Sequence, residues 1–293
     1  MIRVRVPATT ANLGPGFDVL GLALGMYAEV SFEKNHEKLT IEGCPEEYCN
    51  EENLIYTSFL KTYKAMGIKE QNVKITIHSN IPAARGLGSS AACVVAGMAG
   101  ALIMENHLLD KRLLLDIGTR IEGHPDNVAP AIYGGFTATV QSEGQIFLEN
   151  FKVHPDIVFY ALIPSNMLST NDARGVLPKM ISHEDAVFNI SRMPFLLRGL
   201  EKNDGDLIRT AINDKLHQPF RKALIPEFEE VVKICYNNGC SGVYLSGAGP
   251  TIMGIGDSKV NTSSMKASLN KLRNNWEVKP LKIDNDGVKI LRS

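Results

Sequence analysis

Apolar and polar residues alternate at the start of the chain, in Ile2-Arg3-Val4-Arg5-Val6, and again over roughly Leu24–Phe32 and Val73–His78. A period of two puts successive side chains on opposite faces, so these runs predict half-buried strands. Leu54–Met66 instead repeats its apolar positions at helical spacing and predicts an amphipathic helix. The run Ala91–Met104 (AACVVAGMAGALIM) is apolar all round and predicts a buried helix, with another over Lys111–Ile121. Ile132–Val140 and Gln145–Leu148 predict a hairpin, and Ile157–Ile163 (IVFYALI) a buried strand. Pro164 then opens a polar stretch, Ser165–Arg174, which reads as a boundary between two units. Helical patterns follow at His183–Leu200, Asp206–Leu216 and Glu227–Asn238. A glycine-rich turn, Leu245–Thr251, lies between two short strand-like pieces, and a helix over Lys259–Asn274 precedes one or two final strands. This mixture predicts an α+β fold in two parts, residues 1–164 and 165–293, with antiparallel or mixed sheets.

Composition narrows the functional classes. At 293 residues, 44% apolar and 22% charged, the chain can bury an ample core. A net charge of −1 gives no electrostatic case for nucleic acid or an anionic membrane. The longest apolar run is too short to span a bilayer and holds two glycines, and the N-terminus lacks a signal-peptide core. Five cysteines contain no Cys-x-x-Cys pair, and Cys44/Cys49 and Cys235/Cys240 have no histidines at zinc spacing. Reduced thiols in the cytoplasm are expected.

The strongest chemical signal is Pro82-Ala83-Ala84-Arg85-Gly86-Leu87-Gly88-Ser89-Ser90-Ala91-Ala92. Gly86 and Gly88 let the backbone bend sharply and approach a ligand, and Ser89 or Ser90 can cap the helix that follows. A glycine turn opening onto a helix presents unpaired N–H groups at the positive end of the dipole, a ready seat for phosphate. A Walker A loop is excluded because Gly-Lys occurs nowhere, and protein-kinase HRD and DFG signatures are absent. The segment also fits the loose G-x-G-x-x-A dinucleotide pattern, with Glu105 near the expected acidic position. No run of alternating strands and helices surrounds it, however. A glycine turn with no ligand is the bland alternative.

Four further constellations are polar enough to form a site. Asn12 and Asp18 lie among glycines in the long turn Pro7–Asp18, where they either bond local backbone or form a substrate loop. Glu122-Gly123-His124-Pro125-Asp126-Asn127 occupies a break between helices. Glu122 could reach a Mg2+ ion, His124 pack or cap, and Asp126 cap the next helix. Arg174 and Arg221 stand in polar segments, and each could pair at the surface or grip a carboxylate or phosphate. Ser246–Thr251 is a second glycine loop that could close over an anion or merely join two strands.

Together the segments PATTANLGPGFD (Pro7–Asp18), PAARGLGSSAA (Pro82–Ala92) and SGAGPT (Ser246–Thr251) resemble the GHMP family of small-molecule kinases, in the family's order and across almost the whole chain. Pro7–Leu22 and HPDNVAPA at His124–Ala131 resemble the branch of that family that acts on homoserine. The resemblance implies a ribosomal-S5-like N-terminal domain, a ferredoxin-like C-terminal domain and an active site between them. It implies ATP with its phosphates over Pro82–Ser90 and its adenine near Asn53-Leu54-Ile55, and Mg2+ beside Ser90 and Glu122. Asn12, Asp18, His124, Asn127, Arg174, Arg221 and Gly247 would surround L-homoserine, the arginines taking its carboxylate and Asp18 with Asn12 its polar groups. Some relatives, such as mevalonate kinase, use an aspartate as general base. Here Asn127 would stand near the hydroxyl, no base is assigned, and direct in-line transfer is expected. The product would be O-phospho-L-homoserine, on the route to threonine, and the enzyme a cytoplasmic homodimer. A kinase for another small alcohol, such as a mevalonate-like acid or a sugar, or a non-catalytic GHMP-fold binding protein, are the alternatives.

Overall fold

The computed structural model describes residues 1–291, arranged around two sheets. The first is built on a long antiparallel pair, β1 (Ile2–Ala11) and β2 (Leu20–Lys34). β1 outruns its expected end at Val6. Pro7 brings no amide donor, and the ladder shifts register between Pro7 and Ala8 rather than ending there. β2 also begins earlier than its alternation suggested, so the turn between the strands is only residues 12–19. Beside β2 lies β4 (Val73–Ser79), with β3 (Leu39–Glu42) parallel to it at the edge. The hairpin of β5 (Phe136–Ser142) and β6 (Gln145–Phe151) joins β2 through Leu20–Leu22. Ile132 belongs not to this hairpin but to the short helix α4 (Val128–Tyr133), which Gly134 ends.

Helices α1 (Leu54–Met66), α2 (Ser89–Met104) and α3 (Lys111–Glu122) complete the first core. α2 is buried over most of its length, as its uninterrupted apolar sequence requires. Its cap differs from expectation. Gly88 is the N-cap in a left-handed conformation, and neither Ser89 nor Ser90 makes a capping bond, so their hydroxyls are left for other work. Asp126 likewise caps nothing: Asn127 occupies the N-cap of α4, without a side-chain cap bond.

The second sheet has the order β10-β7-β9-β8, from β7 (Val158–Pro164), β8 (Gly242–Leu245), β9 (Ile252–Gly256) and β10 (Trp276–Leu281), all antiparallel. β7, which precedes the expected division at 164/165, pairs in this sheet. The chain also returns to the first sheet at its end, where β11 (Lys289–Leu291) pairs with β1. A strand buried on both sides carries no mark of which sheet it joins. Phe159, Ala161, Ile163, Met253 and Ile255 face the larger core. With them pack α6 (His183–Lys202) and α7 (Gly205–Ala211) through Leu196, Leu200 and Ile208. Tyr160, Leu162, Leu245 and Ile252 face α9 (Phe228–Asn237) and α10 (Thr262–Leu269). Two expected helices are shorter than their patterns: α7 stops at Ala211 and α10 spans only Thr262–Leu269. No described helix is long and apolar enough to cross a membrane.

Candidate active site

The loops between the two sheets meet in one cleft of about 390 Å3. The phosphate-type loop enters from β4 and turns through Ala84, Gly86 and Gly88, with φ of 52°, 73° and 67°. A Cβ on Gly86 would strike the carbonyl oxygens of Ser246 and Gly249, and one on Gly88 the Thr9 hydroxyl, so only glycine fits between these neighbours. Hydrogen bonds from the second half of the chain fix the loop: Leu168 N–H donates to Ala84 O and Thr251 N–H to Arg85 O, each at 3.2 Å. The Arg85 guanidinium donates to the carbonyls of Ala83, Pro164 and Ser165. Its side chain therefore anchors the loop to the end of β7.

Ser90 lies in the first turn of α2, and its Oγ donates to Glu122 Oε1 at 2.6 Å. Glu122 comes from the last turn of α3, so the break after that helix delivers a carboxylate to the N-terminus of another. His124 Nδ1–H donates to Asp126 Oδ1 at 2.6 Å. This bond holds His124 protonated above its usual pH range despite the opposing effect of burial. Thr9 Oγ1 donates to Asn127 Oδ1 at 2.7 Å, which turns the Asn127 amide nitrogen toward Asp126, 3.4 Å away.

Opposite stands the 12–18 turn. Asn12 Oδ1 accepts from Asp18 N–H at 3.0 Å, and its Nδ2 donates to Gly247 O at 2.9 Å. Asn12 thus braces its own turn while lining the cleft. Arg174, on the short helix α5 (Thr170–Gly175), grips Asp18 with both terminal nitrogens, at 3.0 and 3.3 Å. Arg221, on α8 (Gln218–Arg221), is only 2% exposed. Its Nε donates to Ala173 O and its Nη1 to Gly247 O, each at 3.0 Å, and the Phe17 ring centroid lies 5.2 Å from the guanidinium carbon.

Two family descriptions match this chain: GHMP kinases N terminal domain over residues 53–135 and GHMP kinases C terminal over residues 196–274. The chain is 45% identical over 292 residues to a homoserine kinase of Clostridium botulinum, covering 99% of this chain and 98% of that one. The chain belongs to the GHMP kinases, in their homoserine kinase branch. A homoserine kinase structure from Cytophaga hutchinsonii superposes with a TM-score of 0.88 at 31% identity, covering 99% of this chain and 97% of that one. A mevalonate kinase of Methanococcus jannaschii shares the fold alone, with a TM-score of 0.73 at 14% identity over 97% of this chain and 98% of that one.

GHMP kinases take ATP as phosphate donor, and the loop that would receive it is largely where the motif put it. Ala84, Arg85, Gly86, Gly88, Ser89, Ser90 and Ala91 line the cleft. Leu87 and Ala92 are buried in the core behind it, and Pro82 and Ala83 stand outside its lining. The Asn53 side chain caps α1, accepting from Ile55 N–H and donating to Tyr48 O, and Leu54 of the same expected segment lines the cleft. The expected substrate residues Asn12, Asp18, His124, Asn127, Arg174, Arg221 and Gly247 all line the same cavity. Thr170 and Asn171 join them unanticipated. They precede Arg174 by four and three residues, the spacing that shares a helix face.

A magnesium ion fits the donor set present. Among the described residues no three His, Cys, Asp or Glu side chains cluster as a metal cage. Mg2+ needs none, since it keeps waters and shares phosphate oxygens around one or two protein ligands. Ser90 Oγ and Glu122 beside the helix N-terminus form such a pair.

Proposed function

We propose that this chain transfers the γ-phosphoryl group of ATP to the side-chain hydroxyl of L-homoserine, giving ADP and O-phospho-L-homoserine. The observation that carries this reading is Arg221. Among the described residues it is a buried cation without an acidic side chain within 4.0 Å, facing the cleft beside the Asp18–Arg174 pair. Burial, and after it the nearby Arg174 charge, lower its affinity for its own proton. An unpaired buried charge is costly, and a carboxylate entering the cleft relieves it. An amino acid also brings an ammonium group for Asp18, and its zwitterion adds no net charge to the cleft. Mevalonate and a sugar bring no ammonium group.

The residues then divide the work. Arg221, through the Nη2 donors that Ala173 and Gly247 leave free, and Arg174 hold the carboxylate, and Asp18, oriented by Asn12, takes the ammonium. Asn127, held by Thr9, orients the hydroxyl for in-line attack. The N–H groups at the start of α2 and the Gly86–Ser90 backbone hold the phosphates where charge builds. Ser90 and Glu122 would hold Mg2+, which when bound neutralises phosphate charge. Positioning and charge stabilisation suffice for such a transfer, so no side chain is assigned as general base. The same reading takes the enzyme as a cytoplasmic homodimer, for which the exposed Val187, Ile190 and Phe195 on α6 offer apolar surface. Sedimentation at several concentrations tests that part.

ADP release with Mg-ATP and equal L-homoserine, L-serine, mevalonate or galactose tests the activity. Turnover with homoserine alone is expected. Turnover with another alcohol instead would overturn the pocket assignment, and silence with all four in a folded, ATP-binding protein would leave a binding role.

A further inference from the structure

One buried titratable group takes no part in that chemistry. His217 is fully buried one turn before Arg221, stacked on Phe17 with ring centroids 5.2 Å apart. Its Nε2 lies 3.1 Å from Gly14 O, and its Nδ1 lies 3.5 Å from Arg221 Nη1. A carbonyl only accepts and a guanidinium only donates. Both contacts therefore demand the same species, the neutral imidazole with its proton on Nε2. Asp214 Oδ2 lies farther from that Nε2, at 3.6 Å, than Gly14 O does. The Asp214 carboxylate already accepts from the N–H groups of Leu216, His217 and Gln218 and from Asn189 Nδ2. Burial pushes the His217 pKa down to about 4, in keeping with a neutral ring. Gly14 belongs to the turn that carries Asp18, and Arg221 and Asp18 line the same cleft.

We propose that His217 is a positioning residue that ties the 12–18 turn to Arg221, so that the carboxylate-binding guanidinium and the ammonium-binding Asp18 keep one fixed spacing. This rests on the reading of Arg221 as the carboxylate receiver. A ring of one tautomer, bonded at both ends and stacked on the ring that also faces the guanidinium, sets both distance and orientation. The length of amino acid the cleft accepts is then a property of this link.

The tests are steady-state kinetics with L-homoserine and ATP varied separately, and imidazole nitrogen NMR on the unsubstituted protein. Glutamine places its amide near the Nε2 position and asparagine near Nδ1. H217Q therefore keeps the bond to Gly14 and loses the one to Arg221, while H217N does the reverse. H217Q should raise the homoserine KM about tenfold and leave the ATP KM within about twofold. H217N cuts the link at its other end and should raise the homoserine KM to a similar degree, and in an Arg221→Ala background H217Q should add less than about twofold. Equal effects with and without Arg221, or KM values unmoved while the thermal midpoint falls, would reduce His217 to a packing residue. NMR carries the test even where a variant fails to fold. A neutral ring protonated on Nε2 is expected, and a ring protonated on Nδ1 overturns the link. Absence of homoserine turnover by the unsubstituted enzyme would instead strike the reading of Arg221, and this proposal with it.

Discussion

Glu122 lies between opposed helix dipoles. It ends α3, against carbonyl groups that carry partial negative charge, but faces the first turn of α2, where an anion is favoured, and its near partner is the Ser90 hydroxyl rather than a cation. A carboxylate so placed has no side-chain cation to give up when a metal is shared with ATP. Glu122→Gln should therefore lower kcat by about a hundredfold and raise the Mg2+ concentration needed for half-maximal rate. Its thermal midpoint should stay level or rise. An unaltered rate at saturating Mg2+ would remove Glu122 from the metal side. His124 gives a second residue-scale test. Its pKa lies above the usual 6.5, first through the Asp126 hydrogen bond. A raised folded pKa stabilises the fold below the unfolded value, and that contribution disappears as pH climbs through the folded one. Asp126→Asn should bring the His124 titration down to 6.5 or lower, since burial then acts without its main opponent. Imidazole NMR across pH 5–9 reads the difference, and an unmoved titration would assign the shift to another neighbour.

At the scale of elements, the phosphate loop is fixed by what its glycines touch, and two glycines of equal backbone conformation separate that effect from mere strain. Gly67 ends α1 and Gly88 begins α2, each with φ of 67°. A Cβ at Gly67 meets nothing within 4 Å, whereas one at Gly88 runs into the Thr9 hydroxyl that holds Asn127. Gly67→Ala should cost about 1–2 kcal/mol of stability, the left-handed penalty alone, with activity intact. Gly88→Ala should cost more and should also depress kcat, because Thr9 must move and release the Asn127 amide. Denaturant unfolding with kinetics on both variants decides it, and equal costs with equal activity would mean that the loop yields freely. This contrast also shows what a sequence can disclose. The glycine loop and its helix were legible because their chemistry lies in adjacent residues. The cap at Gly88 rather than a serine was not, since Thr9 and Glu122, remote in sequence, decide how that turn and Ser90 are used. Asp126 reads as a cap by position, but His124 two residues earlier captures its carboxylate.

On the scale of the whole molecule, two sheets with separate ladders are joined by loops that bind one another across the cleft, and the chain crosses between them more than once. This is why the α+β class and the strand positions could be read from periodicity while the sheet that β7 joins could not. The partner of a buried strand is set by distant segments, and IVFYALI reads alike in either sheet. Arg85 is the side chain through which the phosphate loop grips the second sheet, with donors to three carbonyls and no carboxylate among the hydrogen-bond partners. A planar fork makes that grip, and a lysine offers equal charge without the geometry. Two roles can thus be told apart. If Arg85 served ATP by charge, Arg85→Lys would keep most of the affinity that Arg85→Met loses. Because its guanidinium fastens loop to strand, both variants should raise the ATP KM to a similar degree, about tenfold, with the homoserine KM changing less than about threefold. Titration of each variant with ATP in the absence of homoserine checks this without catalysis. Lysine performing as well as arginine would return the residue to the phosphates and leave the join between the sheets to the backbone bonds of Ala84 and Thr251.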